Sequence, residues 1–173
     1  MDIKFDFSLS PEELYYMAVR MNFKYMDYDY FANLTGIQKD YESFKEKCAW
    51  RLDERGLAEV DYDGVVSWID KNLETALGPV FYGNQECNVI IGEDVIKIHI
   101  DGNNMTLTKA LDEIMIKIVD ITMLVELLRG KKFEIRSSHI EKGIYQERFD
   151  YEEIDVNKLE GRLNRILSGN CYL

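Results

Sequence analysis

The chain has 173 residues, of which 46% are hydrophobic and 12% aromatic, which suits one globular domain and excludes an intrinsically disordered chain. Its 32 acidic and 21 basic side chains give a formal net charge of −11 at pH 7, so the surface as a whole repels nucleic acid and anionic membranes. The most apolar stretch, 114–128, is interrupted by charged residues and is too short to cross a bilayer. We therefore expect no nucleic-acid partner and no membrane insertion.

The first predicted elements are a short strand and a helix. Apolar residues alternate with polar ones along the strand, at Ile3, Phe5, Phe7 and Leu9. Ser10 is an N-cap residue type and Pro11 suits the first helical position, so the helix begins here. Leu14, Met17 and Met21 follow at helical spacing and predict one apolar face.

The segment 23–36 has no clear period and is predicted to be a loop with one helical turn. Five aromatic side chains lie among its acidic residues: Phe23, Tyr25, Tyr28, Tyr30 and Phe31. Aromatic rings offer a large contact area at small entropic cost, so these five are candidates for binding a protein partner. The alternative is that the same rings pack the loop onto the neighbouring helices.

Two further helices are predicted before residue 80. Apolar residues at helical spacing define the second helix: Ile37, Tyr41, Phe44, Cys48 and Leu52. Gly56 ends it, and the acidic residues Asp61 and Asp63 are predicted to start a third helix. The apolar positions of the third helix are Val66, Ile69, Leu73 and Leu77, and Gly78 and Pro79 are predicted to end it.

The segment 80–119 is predicted to form a four-stranded antiparallel β-meander. Breaks at 92–94, 101–103 and 112–113 separate runs of alternating residues, and such short connections require antiparallel neighbours. In the second of these strands the isoleucines at 96, 98 and 100 share one face. Lys97 and His99 lie on the opposite face, which we expect to be less buried, and both are candidates for contact with a partner.

After the meander, Asp120 can cap a helix that ends at Gly130. The segment 131–150 is predicted to form two further strands or a lid, and 156–167 a C-terminal helix weakened by Gly161. The fold class is therefore α+β, with an antiparallel four-stranded β-meander packed against N-terminal and C-terminal helices. One domain spans 1–173, with a mainly helical part (1–79), the meander (80–119), and a final part of helix, short strands and C-terminal helix (120–173).

The sequence carries no motif of a hydrolase nucleophile, a phosphate-binding loop, a zinc protease or a dinucleotide site. His99 and His139 are predicted to be solvated, and Cys48 to be a buried thiol on an apolar helix stripe. The acidic pairs lie at helix starts and in turns, where carboxylates cap the backbone and stay in contact with water. We therefore expect no enzyme activity and no catalytic, cofactor-binding or metal-binding residues.

The expected location is the cytoplasm. The chain has an odd number of cysteines, Cys48, Cys87 and Cys171, and no CxxC pair. Such cysteine usage is typical of a reducing compartment. The first residues lack the basic and apolar regions of a signal peptide.

The order of elements over residues 1–130 resembles a known family. Four stretches carry the likeness: "LSPEELYYMAVRM" after the first strand, "RLDERGL" at the end of the second helix, "LGP" at the end of the third, and "DEIMIKIVDITMLVELLRG" after the meander. Together they resemble the N-terminal half of the EspG family, the cytosolic chaperones of type VII (ESX) secretion, and their Gram-positive relatives. In that family a helix that ends in an RGL-like turn recurs, as does a strand that leads into an LVxLL-type helix.

The resemblance implies a chaperone that recognises its secretion substrate with a β-meander and a C-terminal helical bundle. EspG proteins contain two such α/β halves, whereas this chain has about one half and a short C-terminal segment. The resemblance therefore also implies a homodimer, in which two copies stand for the two halves. It assigns no individual binding residue.

These observations favour a non-enzymatic protein that binds a small helical secretion substrate through its meander, as an accessory or chaperone-like component of a type VII-like secretion system. An acidic immunity or inhibitor protein that neutralises a basic toxin is the first alternative, because a net charge of −11 would steer it towards a cationic partner. A winged-helix-like regulator is the second alternative, although the acidic link "DERGLAEVDYDG" is poorly suited to phosphates.

Overall fold

The structure, a computed structural model, describes residues 3–21, 41–61, 63, 66–83, 85–139, 147–151 and 161. The helices in these ranges are α1 (Pro11–Arg20), α2 (Tyr41–Glu54), α3 (Lys71–Tyr82) and α4 (Ile121–Leu128). The first strands are β1 (Phe7–Leu9), β2 (Ala58–Val60) and β3 (Val66–Ile69). The others are β4 (Gln85–Ile91), β5 (Asp94–Asp101), β6 (Asn104–Ala110), β7 (Ile114–Val119), β8 (Phe133–His139) and β9 (Glu147–Tyr151).

Seven strands form one antiparallel sheet in the order β1-β7-β6-β5-β4-β8-β9, and β2 and β3 form a separate hairpin. The predicted α+β class is confirmed. The predicted four-stranded sheet is too small, because the consecutive strands β4 to β7 are only its middle. β1 joins beside β7, where Phe7 pairs with Ile116, and β8 joins beside β4. Strands so distant in sequence can pair without any recognisable pattern in the local sequence, so these two pairings could not be predicted.

Both faces of the sheet carry a hydrophobic core. On one face, which we call the three-helix face, residues of α1, α2 and α3 pack with Ile114 and Ile116. On the other, the α4 face, Leu124 and Leu128 of α4 join a core that includes Ile98. The hydroxyl of Thr106 on the three-helix face donates a hydrogen bond of 2.6 Å to the main-chain oxygen of Ala76, in the middle of α3. The strands β5 and β6 are therefore covered by α3 on one side and by the core of the α4 face on the other.

The start of α1 agrees with the sequence. Ser10 caps the helix, and its hydroxyl accepts a bond of 3.1 Å from the main-chain N–H of Glu13. The Glu13 carboxylate in turn accepts a bond of 2.9 Å from the main-chain N–H of Ser10, which completes a capping box. The predicted first strand is shorter than expected, since only Phe7–Leu9 is paired.

The third predicted helix begins later and ends later than the sequence indicates. Ala58–Val60 and Val66–Ile69 pair as the β2–β3 hairpin, so Val66 and Ile69 lie in a strand. Asp70 caps α3 instead, accepting a bond of 3.0 Å from the N–H of Leu73. The helix then continues through Pro79, because its last turn buries Phe81.

The predictions after the meander are largely confirmed where the structure describes the chain. Asp120 caps α4, and the described residues of the segment 131–150 contribute the two strands β8 and β9, one of the two predicted alternatives. Except for Gly161, the predicted C-terminal helix (156–167) lies outside the described residues. None of the helices in the described part of the chain has the length and apolar character that crossing a bilayer requires.

Candidate functional site

The seven residues predicted to bind a partner fall into two groups. The aromatic group, comprising Phe23, Tyr25, Tyr28, Tyr30 and Phe31, lies outside the described residues. Lys97 and His99 lie on β5, in the middle of the sheet and on its three-helix face. The structure therefore tests only the second group.

The prediction that His99 is solvated is wrong. Its side chain is 3% exposed, and a hydrogen bond of 2.8 Å joins its Nε2 atom to Oγ1 of Thr108 on β6. Burial, together with the positive charge of Lys97, lowers the pKa of His99 to about 3, so the ring is neutral at physiological pH. The helix α3 packs on β5 and β6 on the face that we expected to be open, and His99 cannot contact a partner in this conformation.

Lys97 is a half-buried residue with a partner inside the chain. Its ammonium lies 3.2 Å from a carboxylate oxygen of Glu86 on β4, and each side chain is less than one quarter exposed. The neighbouring Thr106 and Thr108 are buried as well. At Lys97 and His99 the meander therefore offers no open surface, and docking of a helical partner at these two residues would require α3 to move.

The outer edge of the sheet at β1 has one of its carbonyl groups bonded to a side chain. A guanidinium nitrogen of Arg55 donates a hydrogen bond to the main-chain oxygen of Ser8, the middle residue of β1. The edges of the meander itself are paired, β7 with β1 and β4 with β8. A partner strand added to the meander, the mode suggested by an exposed edge, therefore meets no free edge at these strands.

The "ERGL" stretch at the end of α2 forms a Schellman motif. Gly56 adopts a positive φ of 69°, the N–H of Leu57 donates to the oxygen of Leu52, and the N–H of Gly56 donates to that of Asp53. Arg55, the arginine of this turn, also lies 3.1 Å from the carboxylate of Glu13, whose side chain is 5% exposed. One side chain therefore joins α2, α1 and β1.

Replacing Arg55 by methionine is expected to lower the free energy of unfolding by about 1–2 kcal/mol. The change leaves the buried Glu13 carboxylate without its cationic partner. We expect a smaller loss of stability than for a fully buried ion pair, because Arg55 is 40% exposed. Urea unfolding measures the difference. Arg129→Met is the control, since the ion pair of Arg129 with Glu126 is exposed on both sides and its loss should cost at most about 0.5 kcal/mol. Equal losses in the two variants would show that Arg55 has no special role.

The two thiols within the described residues are buried. Cys48 packs into the core of the three-helix face and Cys87 into that of the α4 face, as predicted for Cys48. Burial and the nearby charges of Glu13 and Glu12 raise the pKa of Cys48 to about 11, so the thiol stays protonated at neutral pH. Within the same ranges, no three His, Cys, Asp or Glu side chains are grouped as metal ligands would be.

Within the described residues the large exposed aromatic side chains are the two tryptophans, which the sequence reasoning missed, and Tyr82. Trp50 on α2 is 54% exposed and Trp68 on β3 is 49% exposed, and the chain has no other tryptophan. The signal for Trp50 was present in the sequence, because it lies on the opposite side of α2 from the stripe of Cys48 and Leu52. Trp68 could not be placed before the hairpin was known.

Exposed carboxylates flank both indoles. Glu46 and Glu54 lie four residues before and four residues after Trp50, and Glu59 lies directly across the hairpin from Trp68. None of the three carboxylates is paired with a basic side chain among the residues that the structure describes. We call these five residues the aromatic–acidic surface. It disfavours nucleic acid, since phosphates would meet carboxylates.

The chain matches no model of a known protein family, no curated protein and no solved structure. A function for it must therefore be argued from its side chains.

Proposed function

We propose that the chain is a non-enzymatic protein that binds a small helical partner, as an accessory or chaperone-like component of a type VII-like secretion system. The observation that carries the binding role is the exposure of Trp50 and Trp68 on two consecutive elements, α2 and the β2–β3 hairpin. The link to secretion rests on the resemblance of residues 1–130 to the EspG family. The chain acts in the cytoplasm in this proposal, before its partner is exported.

The energetic argument concerns the area that the two indoles leave in water. Each indole retains roughly 100 Å² of exposed surface. Burying that area of one indole against a partner would contribute about 2 kcal/mol to the binding free energy. Tryptophan is strongly enriched among the residues that dominate binding energy at protein interfaces. Each ring can therefore anchor a partner, a role that the buried His99 on β5 cannot fill.

The test is binding of helical-hairpin proteins encoded beside the gene to the full-length chain. Trp50→Ala and Trp68→Ala are each expected to raise the dissociation constant about tenfold or more, as measured by calorimetry. Leu111→Ala is the matched control, since Leu111 is exposed on the β6–β7 turn and its loss should leave affinity unchanged. If none of the encoded helical hairpins binds, or if the chain only associates with itself, the proposal is refuted.

The second candidate function is an acidic inhibitor of a basic toxin. It is favoured by the unpaired carboxylates of the aromatic–acidic surface and by the net charge of −11. This reading requires an association rate that falls steeply with added salt, because steering by charge is screened over about 10 Å at 0.1 M salt. A rate that does not respond to salt excludes it and leaves the chaperone-like reading in place.

A further inference from the structure

The exposed side of α2 carries its charges in two rows of opposite sign. Glu46, Trp50 and Glu54 follow one another at intervals of four residues and form the acidic row, which spans about 12 Å along the helix. Lys47 and Arg51, also four residues apart, form the basic row beside it. All five side chains are exposed.

This arrangement gives α2 little stability of its own in water. A solvated helix gains stability when opposite charges lie three or four residues apart, and loses it when like charges do. In α2 the like pairs are Glu42 with Glu46 and Lys47 with Arg51, and they offset the opposite pairs, Glu42 with Lys45 and Arg51 with Glu54. Rows of single sign become favourable when a second helix lays rows of the opposite sign against them.

From this pattern we infer the chemistry of the partner: an α-helix that carries Lys or Arg at four-residue spacing docks on the acidic row, with an acidic row of its own beside the basic row of α2. The four-residue ridges of two helices interdigitate in the commonest helix packing, so the spacing of the two sets matches. A cation over Trp50 gains a cation–π contact, and Glu46 and Glu54 then lie one turn away on either side to pair with the next cations. This inference rests on the proposed function and specifies the partner for the same surface.

The hairpin extends the same chemistry beyond α2. Trp68 and Glu59 are directly paired across β2 and β3 and both are exposed, which again places an aromatic ring beside a carboxylate. The hairpin segment 57–70 contains four acidic residues and no basic one. The hairpin therefore adds negative charge directly after α2 in the chain and no positive charge.

The experiment uses synthetic helical peptides as probes, because the two tryptophans report binding directly. One peptide carries arginines at four-residue spacing on one face, and the other has the same composition with the arginines spread around the helix. In the Trp68→Phe chain the remaining tryptophan fluorescence comes from Trp50 alone, and it should change with the first peptide at concentrations at least tenfold lower than with the second. Equal responses to the two peptides would overturn the inference.

A pair of charge-reversal variants separates docking from general attraction. Glu46→Lys with Glu54→Lys should weaken binding of the first peptide at least a hundredfold, because like charges then face each other. The control is Glu93→Lys with Asp112→Lys, which makes the same change in net charge at two exposed turns and should cost threefold or less. Equal weakening by the two double variants would show that only net charge matters, and urea unfolding verifies that both remain folded.

The same variants distinguish this inference from the proposed function. If an encoded helical partner still binds the Glu46→Lys, Glu54→Lys chain but not the Trp50→Ala chain, the protein-binding role stands and the basic-helix inference fails. If the spaced peptide binds but no encoded helical protein does, the chemistry of the surface is right and the secretion role fails.

Discussion

Alanine in place of Gly83 is expected to destabilise the protein by about 3 kcal/mol. Gly83 caps the C-terminal end of α3, where the chain turns towards β4. An added Cβ would lie 2.3 Å from the main-chain oxygen of Pro79 and 2.7 Å from that of Ile100. Both neighbours are backbone, so neither can rotate away, and α3 would have to shift relative to β5.

Gly78→Ala provides the matched control for this prediction. Gly78 lies in the same helix, and a Cβ there would meet nothing within 4 Å. The usual gain of about 0.5–1 kcal/mol over glycine within a helix is opposed here by the ring of Pro79, which crowds a Cβ on the preceding residue, so alanine should change the free energy of unfolding by less than about 1 kcal/mol. Equilibrium unfolding in urea measures both variants, and a Gly83→Ala chain as stable as the natural one would contradict the close approach of α3 and β5.

Acidification is expected to destabilise the protein through His99. The pKa of His99 is about 3 in the folded chain and near 6.5 in the unfolded chain, so between these values the unfolded state binds the extra proton. Each pH unit of acidification within this window lowers the free energy of unfolding by up to about 1.4 kcal/mol, or about 2–3 kcal/mol between pH 6.5 and 4.5. Above pH 6.5 the full contribution is present, and it is lost as pH falls towards the folded pKa.

The comparison variant for this effect is His99→Gln. Glutamine can reach Oγ1 of Thr108 from the position of Nε2, but it does not titrate. The variant keeps Lys97, the charged neighbour that also lowers the pKa of His99. It also keeps Glu86, which lies directly across from His99 in the pairing of β4 with β5. Urea unfolding at pH 6.5 and 4.5 should show the loss in the natural chain to exceed that in the variant by about 2 kcal/mol, and parallel losses would contradict a neutral buried ring.

Much of the fold could be predicted from the sequence where local chemistry decides the structure. Ser10 and Asp120 each begin a helix as N-cap residues, and Gly56 ends one because its positive φ suits glycine. The three breaks of the meander also fall at the observed turns between β4 and β7. Each of these predictions depends on a few neighbouring residues.

The errors arise where distant parts of the chain decide. Alternation along β5 identifies two faces, but it cannot tell that helices cover both, so His99 was expected to be in water. Val66 and Ile69 fit a helical spacing with Leu73, yet the pairing of Val60 with Val66 holds them in a hairpin, and Asp70 provides the N-cap that starts α3. Trp50 was identifiable as off the apolar stripe, whereas the position of Glu59 across from Trp68 required the register of that hairpin.

The bonds made by Arg55 have a consequence for any partner that docks on α2. Arg55 ties the end of this helix to Glu13 at the start of α1 and to Ser8 in the sheet, and the Schellman turn fixes the chain that follows. The conformational entropy of holding α2 in place is therefore lost during folding, before a partner arrives. A preorganised helix loses little further freedom on association, so more of the contact energy is retained as affinity.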